Sequence, residues 1–388
     1  MRITPVSSNY HTSIPVGQIK SKPASFATHE FLPGNSYSAV NSCPLHRISF
    51  LGNNHKGRTV DEIDYYKFKK MRPSAKELLR KKCADFQNTV KIEELRNKDK
   101  KYLPLLDDKT MGQFIDVCNV YKNLKDHPII CLGRSPKWFL NGAMWLKDGI
   151  DDYKFVAFSG HWYFMDKDGN LVRSEKIKPT EPEKKAYKRY LNYIRVTPKQ
   201  IVEAADRTGK KVVITDYIGL GKGMCSFLDV MSEYAEEQGV LEEFANSIKI
   251  VAIGSEEYRS KFYHDDDYIP SPKAQVPEKL WKYQDKIEQE YHDIPIELFE
   301  QMLINENTNE CRSTYYPHEA WTAYKPHKFK TGMITEKKID ELRAKHPGCL
   351  NNFAPTMCDY RNLLNFRILD YMDQKGILRE SLNSKQWE

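Results

Sequence analysis

The order of apolar and polar positions is most regular between residues 126 and 258, where short apolar runs alternate with amphipathic stretches. Apolar runs of this length are typical of strands that are buried on both faces of a parallel sheet. The stretches between them repeat apolar residues at helical spacing. This segment therefore predicts an α/β core, a parallel sheet with helices on both faces. Its four predicted strands span 128–132, 154–158, 212–215 and 248–253.

Local signals place the ends of several elements within this core. Thr197-Pro198-Lys199-Gln200 has the residue types of a capping box, and Gly209 follows as a helix stop signal. Asp168-Gly169 separates two apolar segments and predicts a hairpin between the second and third strands. Gly142 lies in the helix predicted after the first strand, where its small size favours close approach to the sheet.

The regions on either side of the core predict mainly helical additions at residues 59–125 and 259–388. Residues 1–58 are rich in turn formers and show no periodicity, which predicts a disordered leader. The apolar stripes that carry the helical predictions are Ala75, Leu78, Leu79 and Cys83; Phe114, Cys118 and Tyr121; and Tyr360, Leu363, Leu364, Ile368, Tyr371 and Met372, with Gly376 as a stop signal.

Composition changes this picture little. Residues 1–60 hold six Lys or Arg and one acid, so they supply +5 of the formal net charge of +7. This distribution gives no strong nucleic-acid signal, because a nucleic-acid footprint normally crosses a folded face. No apolar stretch is long enough for a membrane span, and the eight cysteines lack the spacing of a zinc site or a disulfide framework. A cytoplasmic protein is expected, and the oligomeric state is unknown.

Two loops follow predicted strands at the edge of the sheet where open α/β sheets bind ligands. The first is Gly133-Arg134-Ser135-Pro136. The second runs from Asp216 to Gly223, where an acid precedes a glycine-rich turn and a helix. Backbone N–H groups freed by glycines at a helix N-terminus suit a phosphate, and Lys222 adds a positive charge. A phosphate-binding loop is therefore expected here.

The residues of both loops are also suited to purely structural roles. A glycine-rich turn between strand and helix also serves packing, Arg134 is equally suited to a surface ion pair, and Tyr217 to the core. Gly219, Gly221 and Gly223 lack the spacing of a dinucleotide site or a P-loop. The run 264–267, His-Asp-Asp-Asp, is more typical of a solvated loop than of a metal site.

The segment 212–223 resembles the ribose-phosphate loop of type I phosphoribosyltransferases, in which a buried strand and an acid precede a short loop and a helix. The wider order agrees, since that family has an earlier pyrophosphate loop, matched by 132–136, and a hairpin between the two, matched around Asp168-Gly169. The resemblance covers about a third of the chain. It implies a phosphoribosyltransferase-like fold that binds a phosphorylated ribose or nucleotide.

The resemblance also implies roles for individual residues. Asp216 and Arg134 become the candidate catalytic residues, Asp216 on the ribose hydroxyls and Arg134 near pyrophosphate. An active enzyme would transfer phosphoribosyl from 5-phosphoribosyl 1-pyrophosphate with release of pyrophosphate, with Mg²⁺ as a possible cofactor held through the phosphates of the ligand. The remaining candidate ligand-binding residues are Gly219, Leu220, Gly221, Lys222, Gly223, Ser226, Gly133 and Ser135.

Departures from the family pattern support an alternative. Thr215 replaces the first acid, Gly219 stands where some members carry a catalytic acid, and Leu220 and Gly223 replace hydroxyl residues. A non-catalytic regulatory or interaction protein that retains the fold would show these changes. An open, polar cleft over the two loops would favour ligand binding, and a cleft filled by aromatic side chains would favour the regulator.

Overall fold

The fold is given by a computed structural model that describes part of the chain. The described residues are 63, 65–89, 107–133, 136–156, 158, 162–166, 171–176, 178–262, 276–299, 302 and 355–382. The predicted leader at 1–58, the Asp168-Gly169 turn and the acidic run at 264–267 lie outside them.

The central sheet has five strands, all parallel, in the order β2-β1-β5-β6-β7. A separate antiparallel pair, β3 and β4, lies between β2 and β5 in the chain. Without this pair the strand order is 2-1-3-4-5, a doubly wound arrangement that reverses direction between β1 and β5. The strands are β1 Ile129–Leu132, β2 Lys154–Val156, β3 Tyr163–Met165, β4 Leu171–Arg173, β5 Val212–Tyr217, β6 Ile248–Gly254 and β7 Glu288–Asp293.

Helices cover both faces of the sheet. The helix α4 leads from β1 to β2, and α7 leads from β5 to β6 in the opposite direction, so right-handed crossovers place them on opposite faces. The helix α3 packs on α4, whereas α6 and α8 pack on α7. The helices are α1 Tyr65–Lys69, α2 Pro73–Thr89, α3 Asp108–Lys122, α4 Lys137–Trp145, α5 Glu181–Tyr193, α6 Pro198–Thr208, α7 Lys222–Glu237, α8 Leu241–Asn246, α9 Glu256–Phe262, the 3₁₀ helix η1 Glu278–Lys286 and α10 Pro355–Gln374. Of the helices described, none is both long and apolar enough to span a membrane.

The predicted strands form the centre of this sheet. Ile130 lies opposite Ile214 in the parallel register of β1 and β5, and Val156 lies in the neighbouring strand β2. These three residues and Val212 are fully buried. Strands buried on both faces explain why their sequences read as continuous apolar runs, and the α/β prediction is confirmed at this level.

The predicted capping box and C-terminal glycine of α6 are also confirmed. The Thr197 hydroxyl accepts a hydrogen bond from the Gln200 backbone N–H at 3.3 Å, and the Gln200 side-chain oxygen Oε1 accepts one from the Thr197 backbone N–H at 3.0 Å. Gly209 ends the helix with φ +63°, the left-handed conformation that favours glycine. Tyr163 pairs with Arg173 across an antiparallel ladder, as a hairpin requires.

The strand β7 was missed, and the sheet therefore extends beyond residue 258, where the sequence interpretation ended the core. Its sequence, Glu-Gln-Glu-Tyr-His-Asp, has no apolar run because β7 is an edge strand whose side chains are partly exposed. Lys249 of β6 and Glu290 of β7 form an ion pair at 2.6 Å across the ladder. This pair adds a small favourable contact to the backbone ladder that joins β7 to β6.

The N- and C-terminal additions pack together. Arg80 of α2 donates two hydrogen bonds, both of 2.8 Å, to the buried carboxylate of Asp370 in α10. Arg379, just beyond α10, donates to the carbonyl oxygens of Met144 and Ile150 and so ties this unit to the end of α4. Leu79 and Cys83 are buried as predicted, but Leu78 is 49% exposed and does not belong to the buried stripe.

Gly142 allows a close approach, but to α3 and not to the sheet as expected. A Cβ atom at this position would overlap the Cys118 sulfur and lie 2.9 Å from Cε1 of Phe114. Both residues belong to α3 and are fully buried. The close contact between α3 and α4 thus depends on a glycine, which has no Cβ atom, at residue 142.

We expect Gly142→Ala to lower the free energy of unfolding by about 2 kcal/mol, the usual range for overpacking a core. Cys118→Ala in the same chain should recover part of the loss, because it removes the sulfur that the new methyl group would strike. Gly112→Ala in α3 is the matched control, since a Cβ atom there would meet no described atom within 4 Å. This substitution should raise stability by up to about 1 kcal/mol. Urea denaturation would measure all four variants, including Cys118→Ala alone, and additive effects of the pair would contradict the proposed clash.

Candidate functional site

The two candidate loops leave the sheet at the same edge. The strands β1 and β5 are parallel neighbours, with Cys131 opposite Thr215 close to the end of each strand. Their carboxyl ends therefore lie side by side at the point where the strand order reverses. In doubly wound sheets this is the position at which ligands bind.

Gly133 begins the first loop by turning sharply out of β1. Its φ is +68°, its N–H donates to the Val156 carbonyl oxygen at 2.8 Å, and a Cβ atom would lie 3.3 Å from the Phe158 carbonyl oxygen. Glycine is thus favoured both by conformation and by the close approach of the chain at the end of β2. Arg134 and Ser135, which the sequence places next, lie outside the described residues.

The second loop is short and anchored at one end. Ile218 is buried and its N–H donates to the Ile253 carbonyl oxygen at 2.8 Å, which fixes the loop to β6. Gly221 has φ +72° and occupies the N-cap of α7, where it provides no side-chain cap. Among the described residues, no atom lies within 4 Å of the Cβ positions of Gly219 and Gly223. The loop therefore passes beneath open space, with half-buried Leu220 between its glycines.

The N-terminus of α7 is suited to a negative charge. An α-helix leaves its first N–H groups without partners inside the helix and carries a positive partial charge at that end. The first turn of α7 contains no acidic residue and its cap provides no side-chain acceptor. Lys222, the first residue of α7, adds a positive charge, with its Nζ 5.7 Å from the centre of the Phe164 ring. This arrangement favours phosphate.

Asp216 lies at the end of β5 beside this loop. Its Oδ1 accepts a hydrogen bond from the N–H of Tyr217 at 2.7 Å, and no other described residue bonds the carboxylate. The residue keeps some contact with solvent. Even so, burial raises the pKa of Asp216 to about 8, with the Tyr217 N–H acting in the opposite direction. A carboxyl group in this state is poorly satisfied by the protein alone.

Two other polar residues near the loop point elsewhere. Thr215 is fully buried, and its hydroxyl lies 2.7 Å from that of Tyr121 in α3. Ser226 is also fully buried, and its hydroxyl oxygen accepts a hydrogen bond from the Trp162 N–H at 3.1 Å. Ser226 was expected to offer its hydroxyl to a ligand. The structure instead uses that oxygen to hold the start of the hairpin.

Aromatic rings occupy the α4 side of the same edge. Tyr217 stacks on Phe299 with ring centres 5.4 Å apart, and Phe139 of α4 lies 5.9 Å from Tyr217. Tyr258 of α9 packs on Phe299 at 4.8 Å. Successive strand residues point to opposite faces, so Tyr217 faces α4 and Asp216 faces α7. The edge is filled by aromatic rings on one side and open above Gly219 and Gly223 on the other.

A polar network that the sequence interpretation missed holds the hairpin against α7. The indole Nε1 of Trp162 donates to Asp229 at 2.8 Å, Arg173 lies 3.3 Å from Asp229 and 3.0 Å from Glu233, and Lys184 lies 2.6 Å from Glu233. Burial raises the pKa of Asp229. Asp229 and Glu233 are four residues apart on α7, the spacing of one helical face. This spacing is the feature of the sequence from which the network could have been predicted.

A metal site built from the protein alone is not visible in the described ranges, which contain no cluster of three or more His, Cys, Asp or Glu. Asp216 is the acidic residue of the candidate loop. One carboxylate is compatible with Mg²⁺, which is commonly held by one or two carboxylates together with the phosphates of a ligand.

The raised pKa of Asp216 predicts a pH dependence of stability. The folded protein keeps this proton up to about pH 8, whereas an unfolded chain releases it near pH 4. The folded state therefore binds more protons between these values, and stability falls as the pH rises through that window. Asp216→Asn should remove this fall and make the variant the more stable protein at pH 8. Urea denaturation between pH 4 and 9 would measure it.

Asp206→Asn is the matched control, because it removes the same charge from the exposed surface of α6. A pH profile of stability that is the same for Asp216→Asn and the unaltered protein would show that the carboxyl group is not destabilised by burial.

Comparisons with protein-family models, curated proteins and solved structures find no match to this chain. Its function is therefore inferred from the geometry of this edge.

Proposed function

We propose that this protein binds a phosphorylated ribose on the α7 side of the sheet edge. The phosphate would bind the N-terminal amides of α7 and the backbone of 219–223, with Lys222 as a further positive charge. The ribose hydroxyls would bind Asp216. The observation that carries the proposal is the uncapped, open N-terminus of α7 beside a buried carboxyl group that has no second partner among the described residues.

The pairing of these two features favours a phosphorylated sugar over inorganic phosphate. A phosphate alone would be drawn to α7 and Lys222, but it would favour the protonated form of Asp216, which keeps its proton up to about pH 8, and would be repelled once that group is ionised. A sugar hydroxyl donates a hydrogen bond to the carboxylate and so satisfies the group that the protein leaves with one bond. A ligand that carries both groups gains from both parts of the site.

A phosphoribosyltransferase-like reaction is the enzymatic form of the proposal. The ligand would be 5-phosphoribosyl 1-pyrophosphate, with Arg134, Ser135 and Gly133 near its pyrophosphate. Mg²⁺ held through the phosphates of the ligand would stabilise the charge of the leaving group. The adjacency of β1 and β5 supports this form, because it brings both loops to one edge.

A regulatory protein that binds the ligand without turnover is the second candidate. Two observations favour it. Thr215 occupies the position of the first acid in the ribose-phosphate loop of type I phosphoribosyltransferases. Its hydroxyl contacts Tyr121 on the face of the sheet opposite α7. Tyr217 and Phe299 fill the α4 side of the edge. Release of pyrophosphate from 5-phosphoribosyl 1-pyrophosphate with Mg²⁺ would distinguish an enzyme from a protein that binds the compound unchanged.

Gly223→Ala separates binding from folding. Alanine favours a helix over glycine by up to about 1 kcal/mol, and its methyl group has open space, so stability should rise. A helical Cβ leans toward the N-terminus of the helix, where the phosphate would bind, so affinity for ribose 5-phosphate should fall by about tenfold or more. Calorimetric titration and thermal melting would measure the two effects.

Gly112→Ala is the control for this variant, since it makes the same substitution in α3 with the same open surroundings. It should stabilise the protein and leave affinity unchanged. Equal affinities for Gly223→Ala and Gly112→Ala would place the phosphate elsewhere.

Binding to Asp216 should release a proton near neutral pH. Ribose hydroxyls favour the ionised carboxylate, so a ligand would lower a pKa that stands at about 8 in the free protein. Titrations in two buffers with different heats of ionisation would count the protons. Asp216→Asn should abolish the release and weaken binding by roughly ten- to a hundredfold. Unchanged affinity together with a loss of stability would assign Asp216 to packing.

A further inference from the structure

The exposed face of α5 carries an excess of positive charge beyond its first turn. The two acidic residues of the helix lie in that turn, where Glu181 pairs with Lys184 at 3.2 Å and Glu183 accepts from the Thr180 N–H. Residues 184–199 contain six Lys or Arg and no Asp or Glu. Lys184 and Lys188 form ion pairs with Glu233 and Glu237 of α7 at 2.6 and 2.5 Å, so they belong to the packing of α5. The remaining four are exposed and have no ion pair or side-chain hydrogen bond to a described residue: Lys185, Arg189, Arg195 and Lys199.

Tyr193 lies among these cations and is 84% exposed. It makes no ring contact with a described residue, whereas Tyr187 of the same helix is buried and packs on Phe158 at 5.8 Å. Lys185, Arg189 and Tyr193 are spaced four residues apart, so they form one stripe on α5, with Cβ atoms about 5–6 Å apart. We call these three residues the α5 stripe. It offers two cations and an open aromatic ring in a row.

Arg195 extends the stripe beyond the end of the helix. Its φ is +57°, a left-handed conformation that costs a residue with a side chain roughly 1 kcal/mol or more compared with glycine. The N–H of Val196 donates to the Leu191 carbonyl oxygen at 2.9 Å, which closes the helix in the way that usually places glycine at the position of Arg195. An arginine therefore occupies a position where glycine would be more stable.

Positive charges are crowded at this end of α5. Burial and, after it, the Arg195 guanidinium lower the pKa of Lys154 in β2. The Lys154 Nζ donates to the Ile194 carbonyl oxygen at 3.2 Å, which places β2 directly beneath the C-terminus of α5. The C-terminal partial charge of a helix favours one nearby cation, but it does not account for four exposed cations and an exposed tyrosine.

We propose that the α5 stripe and Arg195 bind single-stranded nucleic acid, with phosphates on Lys185, Arg189 and Arg195 and a base stacked on Tyr193. Unpaired cations supply affinity for any polyanion. The open ring favours a single strand in particular, because only unpaired bases offer a face on which tyrosine can stack. An acidic protein surface would use the cations and gain little from the ring. This proposal is independent of the ribose-phosphate site.

Fluorescence anisotropy with the full chain would test this proposal. The labelled ligands are a 20-nucleotide oligouridylate, an oligothymidylate of the same length and a DNA duplex of the same length. Tyr193→Ala should weaken binding of both single strands by about tenfold and leave duplex binding unchanged. If three cations each contact a phosphate, these contacts should make the affinity for a single strand fall by about 20-fold between 50 and 200 mM salt. The variant Lys185→Ala/Arg189→Ala/Arg195→Gly should lower the slope of log affinity against log salt by about 2.

Folding effects can be separated from binding effects. Arg195→Gly removes a cation and also the strained conformation, so it should weaken binding while the melting temperature stays equal or rises. The control variant Lys109→Ala/Lys125→Ala/Lys147→Ala removes three exposed cations around α3 and α4, on the opposite face of the sheet. It should leave affinity and salt slope unchanged.

Three results would overturn the proposal. The first is no binding of either single strand at 50 mM salt. The second is an equal loss of affinity in the control variant, which would mean that binding reflects net charge. The third is binding to vesicles that contain phosphatidylserine, with no preference for single strands and no effect of Tyr193→Ala, which would assign the surface to anionic lipid.

Discussion

The parallel pairing of β1 with β5 is the constraint on which the rest of the structure depends. Ile130 lies opposite Ile214, and both are fully buried. From this pair the chain leaves in opposite directions, through α4 to β2 and through α7 to β6. Because both crossovers are right-handed, α4 and α7 lie on opposite faces of the sheet. The first turns of the two helices therefore diverge at the edge where β1 and β5 end. Gly133, Asp216 and Gly221 owe their common edge to this pairing.

The hairpin β3–β4 depends on a second interaction, the polar network on α7. Asp229 accepts from Trp162 and lies beside Arg173, so it joins the start of β3 to the end of β4. Burying charged groups costs desolvation, and such pairs contribute little net stability. The network therefore acts mainly to select one position for the hairpin. That position brings Phe164 next to Lys222 at the start of α7.

Much of this fold could be predicted from sequence because its central strands are buried on both faces. The start of β5, 212–214, reads as an apolar run for this reason and predicted the strand at 212–215. The capping box at Thr197 is a local signal that needs no tertiary contact. The strand β7 could not be found in this way. It is a half-exposed edge strand paired with β6 through its backbone, and its polar residues carry no periodicity. The sequence predicted the loop of the candidate site, but not which side chains surround that loop. Gly142 was assigned to the wrong neighbour, and the contact of Ser226 with Trp162 was not foreseen. The sequence shows which face of a helix a residue occupies but not which element packs on that face.

The alternation of side chains at the end of β5 divides this edge into two environments. Thr215 and Tyr217 face α3 and α4, where the Thr215 hydroxyl contacts Tyr121 and the Tyr217 ring stacks on Phe299. Asp216 faces α7, where no described cation neutralises it. A shift of one residue in the register of β5 would exchange these environments. The pairing of β5 with β1 and β6 sets that register, so this pairing determines that the carboxyl group, and not the tyrosine ring, lies on the α7 side of the sheet.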